Sequence, residues 1–243
     1  MTASLSLHHV VRPPAAPPAP GDRAPLLVLL HGVGGNEDAM LALAPAVDPR
    51  FLVVSARGPI VLGPRAFGWF HVTFTPQGPA IDADEAAASW AAITRFVDEA
   101  VSAYDADPAR VYLAGFSQGA IMGLATLLTA PSRVAGVVAM SGRLLPEVLP
   151  HAAPAAALDG KAVLIVHGTD DNVVAYPSGE YEADYWSYVN GCAESRAATT
   201  PAPCQRQSQC PSDKPVVFCG IAGLGHALWQ EAAKTDWAFF STL

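Results

Sequence analysis

A chain of 243 residues has the size of one globular domain, and its 51% hydrophobic against 15% charged residues supply a large core and exclude extended disorder. Its 14 Lys and Arg against 22 Asp and Glu give a net charge of −8, which repels a phosphate backbone and argues against nucleic acid as a partner. The apolar runs are shorter than the roughly 18 residues that cross a bilayer, so no transmembrane segment is predicted.

The N-terminal residues predict an edge strand followed by a connector. Residues 4–11 alternate in polarity, and residues 12–25 are rich in proline, which lacks an amide donor, so we interpret them as an extended surface connector. No basic segment followed by an apolar one marks a secretory signal, so a cytoplasmic location is the default expectation. A periplasmic or secreted location is the alternative for a chain whose leader was removed.

Short apolar runs rich in β-branched residues recur after the connector and predict strands buried on both faces of a parallel sheet. These runs are Leu26–Leu30, Phe51–Val54, Val111–Ala114, Val134–Met140, Ala162–Val166 and Pro215–Cys219. The clearest helical pattern runs from Asp82 to Tyr104, with Asp82 and Glu85 as a capping pair. Alternating strands and helices predict an α/β fold, with a mostly parallel central sheet and helices on both faces, in one domain over residues 1–243.

The strongest chemical signal is Gly115-Phe116-Ser117-Gln118-Gly119, which follows a predicted strand and opens a helical run at residues 120–128. In this context the pattern predicts a nucleophile elbow, with Ser117 at the carboxyl edge of the sheet and two glycines making room for the turn. The alternative is a serine that caps a helix.

A serine hydroxyl needs a base that takes its proton, and His226 is the predicted base. Among the seven histidines, only His226 lies on a loop between the last predicted strand and the terminal helix predicted for residues 227–240. The chain order Ser, Asp, His is the one that α/β-hydrolases use. A surface loop histidine is the alternative.

Two adjacent aspartates are candidates for the carboxylate that orients the base. Asp170 and Asp171 follow the strand Ala162–Val166 within His167-Gly168-Thr169-Asp170-Asp171. Neighbours in a loop point in different directions, so we expect one to reach His226 and the other to cap the turn. Spacing alone leaves the choice open.

The glycine-rich turn at residues 31–36 predicts half of an oxyanion hole. The backbone amides of Val33, within this turn, and of Gln118, next to the nucleophile, are the expected donors to a developing oxyanion. A phosphate-binding loop would end in Gly-Lys-Ser/Thr, and a dinucleotide fingerprint would place a third glycine at a helix start. Neither pattern is met.

These segments together resemble the phospholipase/carboxylesterase family of α/β-hydrolases, which includes acyl-protein thioesterases and small bacterial carboxylesterases. The resemblance covers residues from about 24 to 175 and is carried by the glycine-rich turn, Trp69-Phe70, the elbow and the His-Gly-Thr-Asp-Asp segment. It implies an α/β-hydrolase fold and a serine hydrolase without cofactor or metal that acts on carboxylic esters or thioesters. It also implies Asp171 as the triad aspartate and Val33 and Gln118 as the oxyanion donors.

The last third of the chain departs from that pattern. Its cysteines and the segment Gly223-Leu224-Gly225-His226 are similar to the secreted feruloyl esterase and polyhydroxybutyrate depolymerase-like group. The alternatives to a carboxylesterase are therefore a thioesterase or lysophospholipase and a feruloyl or polyester-fragment esterase. A hydrolase-fold binding module without turnover is disfavoured, because all three triad members are present.

Four cysteines, Cys192, Cys204, Cys210 and Cys219, lie in and just after a predicted loop insertion at residues 191–214. Their even number predicts two disulfides, with three pairings that the sequence cannot distinguish, and reduced thiols are the alternative. No Cys-x2-Cys pair or flanking histidine indicates a zinc site.

The leading interpretation is a serine carboxylesterase for a small-molecule ester, and a homodimer is one hypothesis for its assembly. The aromatic-rich loop at residues 57–80 follows a strand at the carboxyl edge, where sites of α/β proteins form. We expect Trp69 and Phe70 to form a wall of the acyl pocket, and His31 and Leu224 to belong to the same pocket. Such walls favour acyl chains of about two to six carbons.

Overall fold

The computed structural model describes residues 4–75, 78–210 and 215–240, and the statements below concern that part of the chain. In chain order its strands are β1 (His9–Arg12), β2 (Leu26–Leu30), β3 (Leu52–Ala56), β4 (Ile60–Gly63), β5 (Ala66–Gly68), β6 (Val72–Thr75), β7 (Gly78–Ile81), β8 (Val111–Phe116), β9 (Gly136–Met140), β10 (Ala162–Gly168), β11 (Arg196–Ala198), β12 (Gln205–Gln207) and β13 (Val216–Ile221). Its α-helices are α1 (Ala83–Ala103), α2 (Gln118–Thr129), α3 (Ala155–Leu158), α4 (Pro177–Val189) and α5 (Ala232–Phe240), and short 3-10 helices span Leu41–Ala46, Pro131–Arg133 and Pro146–His151.

Nine of the described strands form one central sheet in the order β1-β3-β2-β8-β9-β10-β13-β12-β11. The strands from β3 to β13 in this order are parallel, whereas β1 at one edge and β12 and β11 at the other pair antiparallel. The predicted α/β fold with a mostly parallel central sheet is confirmed. Because the parallel strands share one direction, the carboxyl ends of β2, β8, β10 and β13 meet at one edge.

The central strands are continuous apolar runs because both of their faces are covered. Every residue of β2, β3, β9 and β10 is buried. Alternate residues enter different core clusters, Leu26 and Val28 on one side of the sheet and Leu27 and Leu29 on the other. Residues of α1, α2 and α4 pack into the first cluster, and residues of α5 and the first 3-10 helix pack into the second.

Helix α1 shows how local sequence sets the bounds of an element. Asp82 is its N-cap and accepts a hydrogen bond from the Glu85 amide at 3.0 Å. Helical spacing places Ile93 and Val97 in the core, and the predicted bounds differ from the observed ones by one residue at each end. Within the described ranges, neither α1 nor any other helix has the uninterrupted apolar length that a bilayer requires.

Several segments differ from the sequence expectation. The edge strand predicted for residues 4–11 spans only His9–Arg12, so it begins later and includes the first residue of the predicted connector. Residues 57–80, predicted as a loop, contain two antiparallel hairpins, β4 with β5 and β6 with β7, and residues 76–77 lie outside the described part. The last helix begins at Ala232, not directly after His226. Residues 227–229 are non-helical and residues 230–231 form a turn, and the Ala227 amide donates to the nearby Gly225 carbonyl.

Two disulfides, Cys192–Cys210 and Cys204–Cys219, hold the segment between α4 and β13. The prediction of two disulfides is confirmed, and the structure selects one of the three pairings. Within this segment, β11 and β12 extend the sheet beside β13. Residues 211–214 of the predicted insertion lie outside the described residues. Cys204 and Cys219 are buried, so their bond is part of the core.

Replacing Cys204 and Cys219 together by alanine is expected to lower the free energy of unfolding. The expected loss is about 3 kcal/mol, because the bond closes a loop with a sequence separation of 15 residues. The matched variant, with Cys192 and Cys210 replaced, opens a loop of similar separation, 18 residues. Any additional loss in the first variant then measures the packing of its buried sulfurs. Urea unfolding provides the comparison, and curves for both variants that coincide with wild type would contradict a stabilising role.

Candidate active site

Ser117 occupies a strained turn between β8 and α2. Its backbone has φ 54° and ψ −120°, a conformation that residues other than glycine rarely adopt. The Ser117 amide donates to the Met140 carbonyl of the adjacent strand at 2.9 Å, and its carbonyl accepts the Ile121 amide at 3.0 Å. Contacts on both sides therefore impose the turn that presents the Ser117 hydroxyl at the carboxyl edge of the sheet.

Close backbone packing explains the two glycines of the elbow. A Cβ atom on Gly115 would lie 2.3 Å from the carbonyl group of Gly119, and one on Gly119 would lie 2.0 Å from the Leu30 carbonyl oxygen of β2. These obstacles are backbone atoms, which cannot move aside as the end of a side chain can. The start of α2 therefore packs directly on the end of β2, and the expectation that both glycines make room for the turn is confirmed.

Three side chains from three loops form a continuous chain of hydrogen bonds. Oγ of Ser117 lies 2.9 Å from Nε2 of His226, and Nδ1 of His226 lies 2.8 Å from Oδ2 of Asp171. The carboxylate only accepts, so Nδ1 carries the ring proton and Nε2 accepts from the hydroxyl. The Asp171 side chain is fully buried, whereas the His226 side chain is 16% exposed. This is the geometry of a nucleophile, a base and a carboxylate that orients the base.

The structure distinguishes the two adjacent aspartates. Oδ1 of Asp171 accepts the amides of Val173 and Val174 at 3.0 and 2.9 Å, and Oδ2 faces His226. Asp170 is exposed, and its carboxylate accepts the neighbouring threonine hydroxyl. Burial raises the pKa of Asp171, but the hydrogen bonds from His226 and the two amides outweigh it, so that the pKa is lowered overall. The carboxylate that faces His226 is therefore ionised near neutral pH.

His167 is a buried neighbour of this carboxylate that sequence reasoning assigned only to a strand end. Its Nε2 lies 2.9 Å from the Val174 carbonyl oxygen and 3.5 Å from Oδ2 of Asp171. Because a carbonyl only accepts, Nε2 carries the ring proton. Burial lowers the pKa of His167 and keeps the ring neutral. His167 thus holds the turn that supplies amides to Asp171 without neutralising its charge.

The predicted oxyanion donors border the same cavity as the nucleophile. Val33 and Gln118 both line it together with Ser117. Gln118 is the first residue of α2, where backbone amides lack acceptors within the helix. Within the described part of the chain, neither the Val33 amide nor the Gln118 amide donates to a protein acceptor. Their role as an oxyanion hole stays a prediction.

Buried polar contacts hold the glycine-rich turn. Nδ1 of His31 donates to the Gly32 carbonyl at 2.7 Å, and Nε2 accepts the Gly58 amide at 2.9 Å. Burial lowers the pKa of His31, so the ring is neutral, as this pairing requires. Nε1 of Trp69 donates to the His31 carbonyl at 2.8 Å. Each contact restrains the backbone that leads to Val33.

A partly buried ion pair also supports this turn. Arg57 binds the Glu37 carboxylate through two nitrogens, and this hydrogen bonding lowers the pKa of Glu37 to about 2. The Arg57 guanidinium also lies 4.4 Å from the centre of the Phe67 ring. Phe67 in turn exchanges backbone hydrogen bonds with Gly34 and Gly35 of the glycine-rich turn. Arg57 and Glu37 therefore help to position the glycine-rich turn and do not contact the cavity themselves.

Trp69 was predicted to form a wall of the pocket, and His31 was predicted to belong to the same pocket. Both lie instead in the core beneath the site. Both are fully buried, and their ring centres lie 5.4 Å apart. The bond from the indole to the His31 carbonyl directs Trp69 into the core. Leu224 is corrected as well, because it packs against the core cluster on the α5 side of the sheet and its carbonyl accepts the Asp170 amide. Phe70 does line the cavity.

The side chain of Gln118 links the elbow to the backbone of residues 69 and 70. Its Oε1 accepts the Trp69 amide at 3.0 Å, and its Nε2 donates to the Phe70 carbonyl at 2.8 Å. The hydroxyl of Ser89 in α1 donates to the Trp69 carbonyl. Sequence reasoning considered only the Gln118 backbone, because the partners of its side chain lie 48 and 49 residues earlier. A predicted oxyanion residue thus also positions the pocket wall.

The cavity beside Ser117 has a volume of about 330 Å³ and mostly apolar walls. Among its described lining residues, Arg143 is the only one that carries a permanent charge. Its apolar side chains include Phe70, Val72, Ile81, Phe116, Ile121 and Val174. The cavity can therefore accept an apolar group next to the serine hydroxyl.

Comparisons with known proteins agree with this architecture. The sequence pattern of the family described as phospholipase/carboxylesterase matches residues 15–209. The chain is 34% identical over 177 residues to Esterase YpfH of Escherichia coli (strain K12), which covers 69% of this chain and 68% of that protein. It is 28% identical over 256 residues to Feruloyl esterase B of Piromyces equi, covering 90% of this chain. The chain spans only 42% of the length of that second protein.

A solved structure has the same fold. The crystal structure of esterase PE8 superposes with a TM-score of 0.74 at 23% identity, over 98% of this chain and 99% of that one. At this level of identity the likeness concerns the fold alone. It confirms the α/β-hydrolase fold that the sequence predicts.

Gly119→Ala is expected to disrupt the elbow, because the new Cβ would lie 2.0 Å from a backbone oxygen. We expect a loss of stability of about 3 kcal/mol or more and a large loss of any activity that depends on Ser117. Gly123→Ala in the same helix is the matched control, since its Cβ would meet a side-chain methyl at 3.5 Å. That variant should be neutral or more stable by up to about 1 kcal/mol through helix propensity. Thermal unfolding checks both, and equal behaviour would contradict the packing argument.

Proposed function

The chain belongs to the phospholipase/carboxylesterase family, and we propose that it is a serine carboxylesterase that works through an acyl-enzyme intermediate. The observation that carries the proposal is the hydrogen-bonded chain from Ser117 through His226 to Asp171 beside an apolar cavity. Ester hydrolysis by serine requires a base, a carboxylate that orients the base and room for the acyl group, and all three lie together. The esterase names of the similar proteins support the same reaction class.

Acylation begins when Oγ of Ser117 attacks the ester carbonyl carbon and Nε2 of His226 takes the hydroxyl proton. Asp171 keeps Nδ1 protonated and stabilises the imidazolium that forms. The negative charge on the former carbonyl oxygen is stabilised by the amides of Val33 and Gln118. Collapse of this intermediate breaks the bond to the alcohol oxygen, and the alcohol leaves with the proton from His226.

Deacylation follows the same path with water as the nucleophile. His226 takes a proton from water, and the resulting hydroxide attacks the acyl carbon bound to Ser117. The ester bond to Ser117 then breaks, and His226 returns the proton to the serine oxygen. The acid is released and the enzyme is restored, with every proton transfer carried by one imidazole.

The proposed substrates are carboxylic esters with short-to-medium acyl chains. A cavity of about 330 Å³ bounded by Phe70 and Ile121 favours a compact group. Each further buried methylene contributes only about 0.8 kcal/mol, and overpacking against a wall costs about 1–3 kcal/mol. A thioester or lysophospholipid substrate is the second candidate. A feruloyl ester is the third, favoured by the similarity to Feruloyl esterase B over most of the chain.

The two disulfides support an oxidising location for the folded protein. Disulfides persist in the periplasm and outside the cell, whereas cytosolic reductants keep thiols reduced. Cys192–Cys210 and Cys204–Cys219 together involve every cysteine of the chain. We therefore propose a periplasmic or secreted location in place of the default cytoplasmic one.

Asp171→Asn is expected to lower kcat/KM for ester hydrolysis by about 10³- to 10⁴-fold, because an amide stabilises the wrong tautomer of His226. Asp170→Asn is the matched control, since its exposed carboxylate bonds only the neighbouring threonine among the described residues. Its kcat/KM should stay within about threefold of wild type. Both variants are measured at one pH with one ester, and a larger loss in Asp170→Asn would reverse the assignment.

Ser117→Ala tests the proposal as a whole, with an expected loss of kcat of about 10⁴-fold or more while the fold is retained. A fluorophosphonate probe should label wild type once, by displacement of fluoride by Oγ of Ser117, and leave the variant unlabelled. The same experiment compares nitrophenyl esters of graded chain length, a palmitoyl thioester and methyl ferulate on the wild type. Equal labelling of the variant would refute the nucleophile, and a preference for palmitoyl over butyryl esters would refute the short acyl pocket.

A further inference from the structure

Arg143 lies in the loop after β9 and lines the cavity beside Ser117. The loop backbone is restrained by a hydrogen bond from the Ser141 amide to a β10 carbonyl at 2.8 Å, which holds Ser141 in a left-handed conformation with φ 50°. A Cβ on Gly142 would lie 2.6 Å from the Cβ of Ala120 in α2, so the loop packs on the helix that begins at the elbow. These contacts give Arg143 a defined place next to the proposed nucleophile.

Arg143 has no protein partner in the described residues, although it is half-buried. Most other arginines pair with carboxylates, among them Arg57 with Glu37 and Arg110 with Asp107. Arg12 and Arg206 also have no carboxylate partner in the described part of the chain, but neither lines the cavity. Arg133, on the exposed surface, also has a carboxylate partner. A guanidinium is always charged and carries five N–H donors. Arg143 therefore retains its full capacity to bind a carboxylate.

The position of Arg143 joins two depressions. On one side lies the apolar cavity that contains Ser117 and His226. On the other side lies a more open depression of about 290 Å³, which Arg143 lines together with Ser178 and Tyr181. The hydroxyl groups of Ser178 and Tyr181 are further hydrogen-bond donors. A ligand that reaches from the first depression into the second passes Arg143.

We propose that Arg143 is a specificity-determining residue that binds a carboxylate carried by the ester substrate. The inference rests on the proposed esterase function and narrows its substrates to esters with one apolar part and one anionic part. The apolar part occupies the cavity beside Ser117, and the carboxylate binds Arg143 toward the second depression. A half-ester of a dicarboxylic acid places the anion on the acyl side, and an ester of a hydroxy acid places it on the alcohol side.

An anionic substrate is repelled by the net negative charge of the protein, so its binding requires a positive charge close to the site. The net charge of −8 disfavours anions at long range, but salt screens exposed charges beyond about 8–10 Å. At the site itself Asp171 is buried and already bonded to His226 and two amides. Within the cavity lining, Arg143 therefore supplies the uncompensated charge that an approaching carboxylate meets.

The test uses two pairs of esters that differ only in a carboxylate against a carboxamide of the same shape. The acyl-side pair is the mono-4-nitrophenyl ester of adipic acid and its adipamide counterpart. The alcohol-side pair is 3-carboxyphenyl butyrate and 3-carbamoylphenyl butyrate. We expect wild type to prefer the carboxylate in one pair, and that pair identifies the side that carries the anion. Arg143→Gln should lower kcat/KM for the preferred carboxylate about 10- to 100-fold and leave its carboxamide within about threefold.

Two further variants separate charge recognition from general effects. Arg143→Lys should retain part of the preference, because it keeps the charge and loses the bidentate geometry. Arg95→Gln, on the exposed face of α1, removes an equal charge away from the cavity and should leave both pairs unchanged. Thermal unfolding confirms that each variant is folded.

Each failure has a distinct signature. An equal loss for carboxylate and carboxamide in Arg143→Gln would show a packing role and overturn the inference while the esterase proposal stands. The absence of any preference in wild type would overturn it in the same way. If wild type hydrolyses no ester of either pair or of the neutral nitrophenyl series, the proposed function fails and this inference fails with it.

Discussion

The contact between the Gly119 backbone and the Leu30 carbonyl is the constraint on which the site depends. It leaves no room for a side chain, so α2 starts directly against the carboxyl end of β2. The same contact forces Ser117 into its strained turn and places it beside the glycine-rich turn that begins right after Leu30. The proposed nucleophile and the two proposed oxyanion donors therefore lie close together because of one backbone contact.

The remaining triad members are joined by backbone contacts between their own loops. The Thr169 amide donates to the Ile221 carbonyl at 2.9 Å, and the Asp170 amide donates to the Leu224 carbonyl at 3.0 Å. These bonds tie the loop of the aspartate to the loop of His226. The Cys204–Cys219 disulfide adds a covalent anchor to β13, the strand that leads into the histidine loop. The C-terminal third thus supports the hydrogen-bonded arrangement of Ser117, His226 and Asp171.

The residues that support the site are uncharged or form ion pairs, whereas Arg143 in the cavity is charged and has no partner in the described part of the chain. Burial keeps the rings of His31 and His167 uncharged, and Arg57 is neutralised by Glu37. Hydrogen bonds from two amides and from His226 stabilise the charge of Asp171, so the carboxylate stays ionised. Arg143 stands apart because its charge is not compensated by the described protein. The rigid part of the site therefore holds the proposed triad, and the uncompensated charge of Arg143 is the basis of the proposed substrate choice.

The sequence by itself determined the central strands, the elbow with Ser117, and His226 as its predicted base. Hydrophobic periodicity and the steric needs of a tight turn are local properties, and they predicted Leu26–Leu30 and Ser117 at the right places. Only the tertiary structure decided between Asp170 and Asp171, paired the cysteines, formed α4 from a sequence of mixed polarity and directed Trp69 into the core. Each of these outcomes depends on atoms that are distant along the chain. The direction of a side chain in a loop depends on the residues that pack against it in the folded protein, and the local sequence pattern does not encode those contacts.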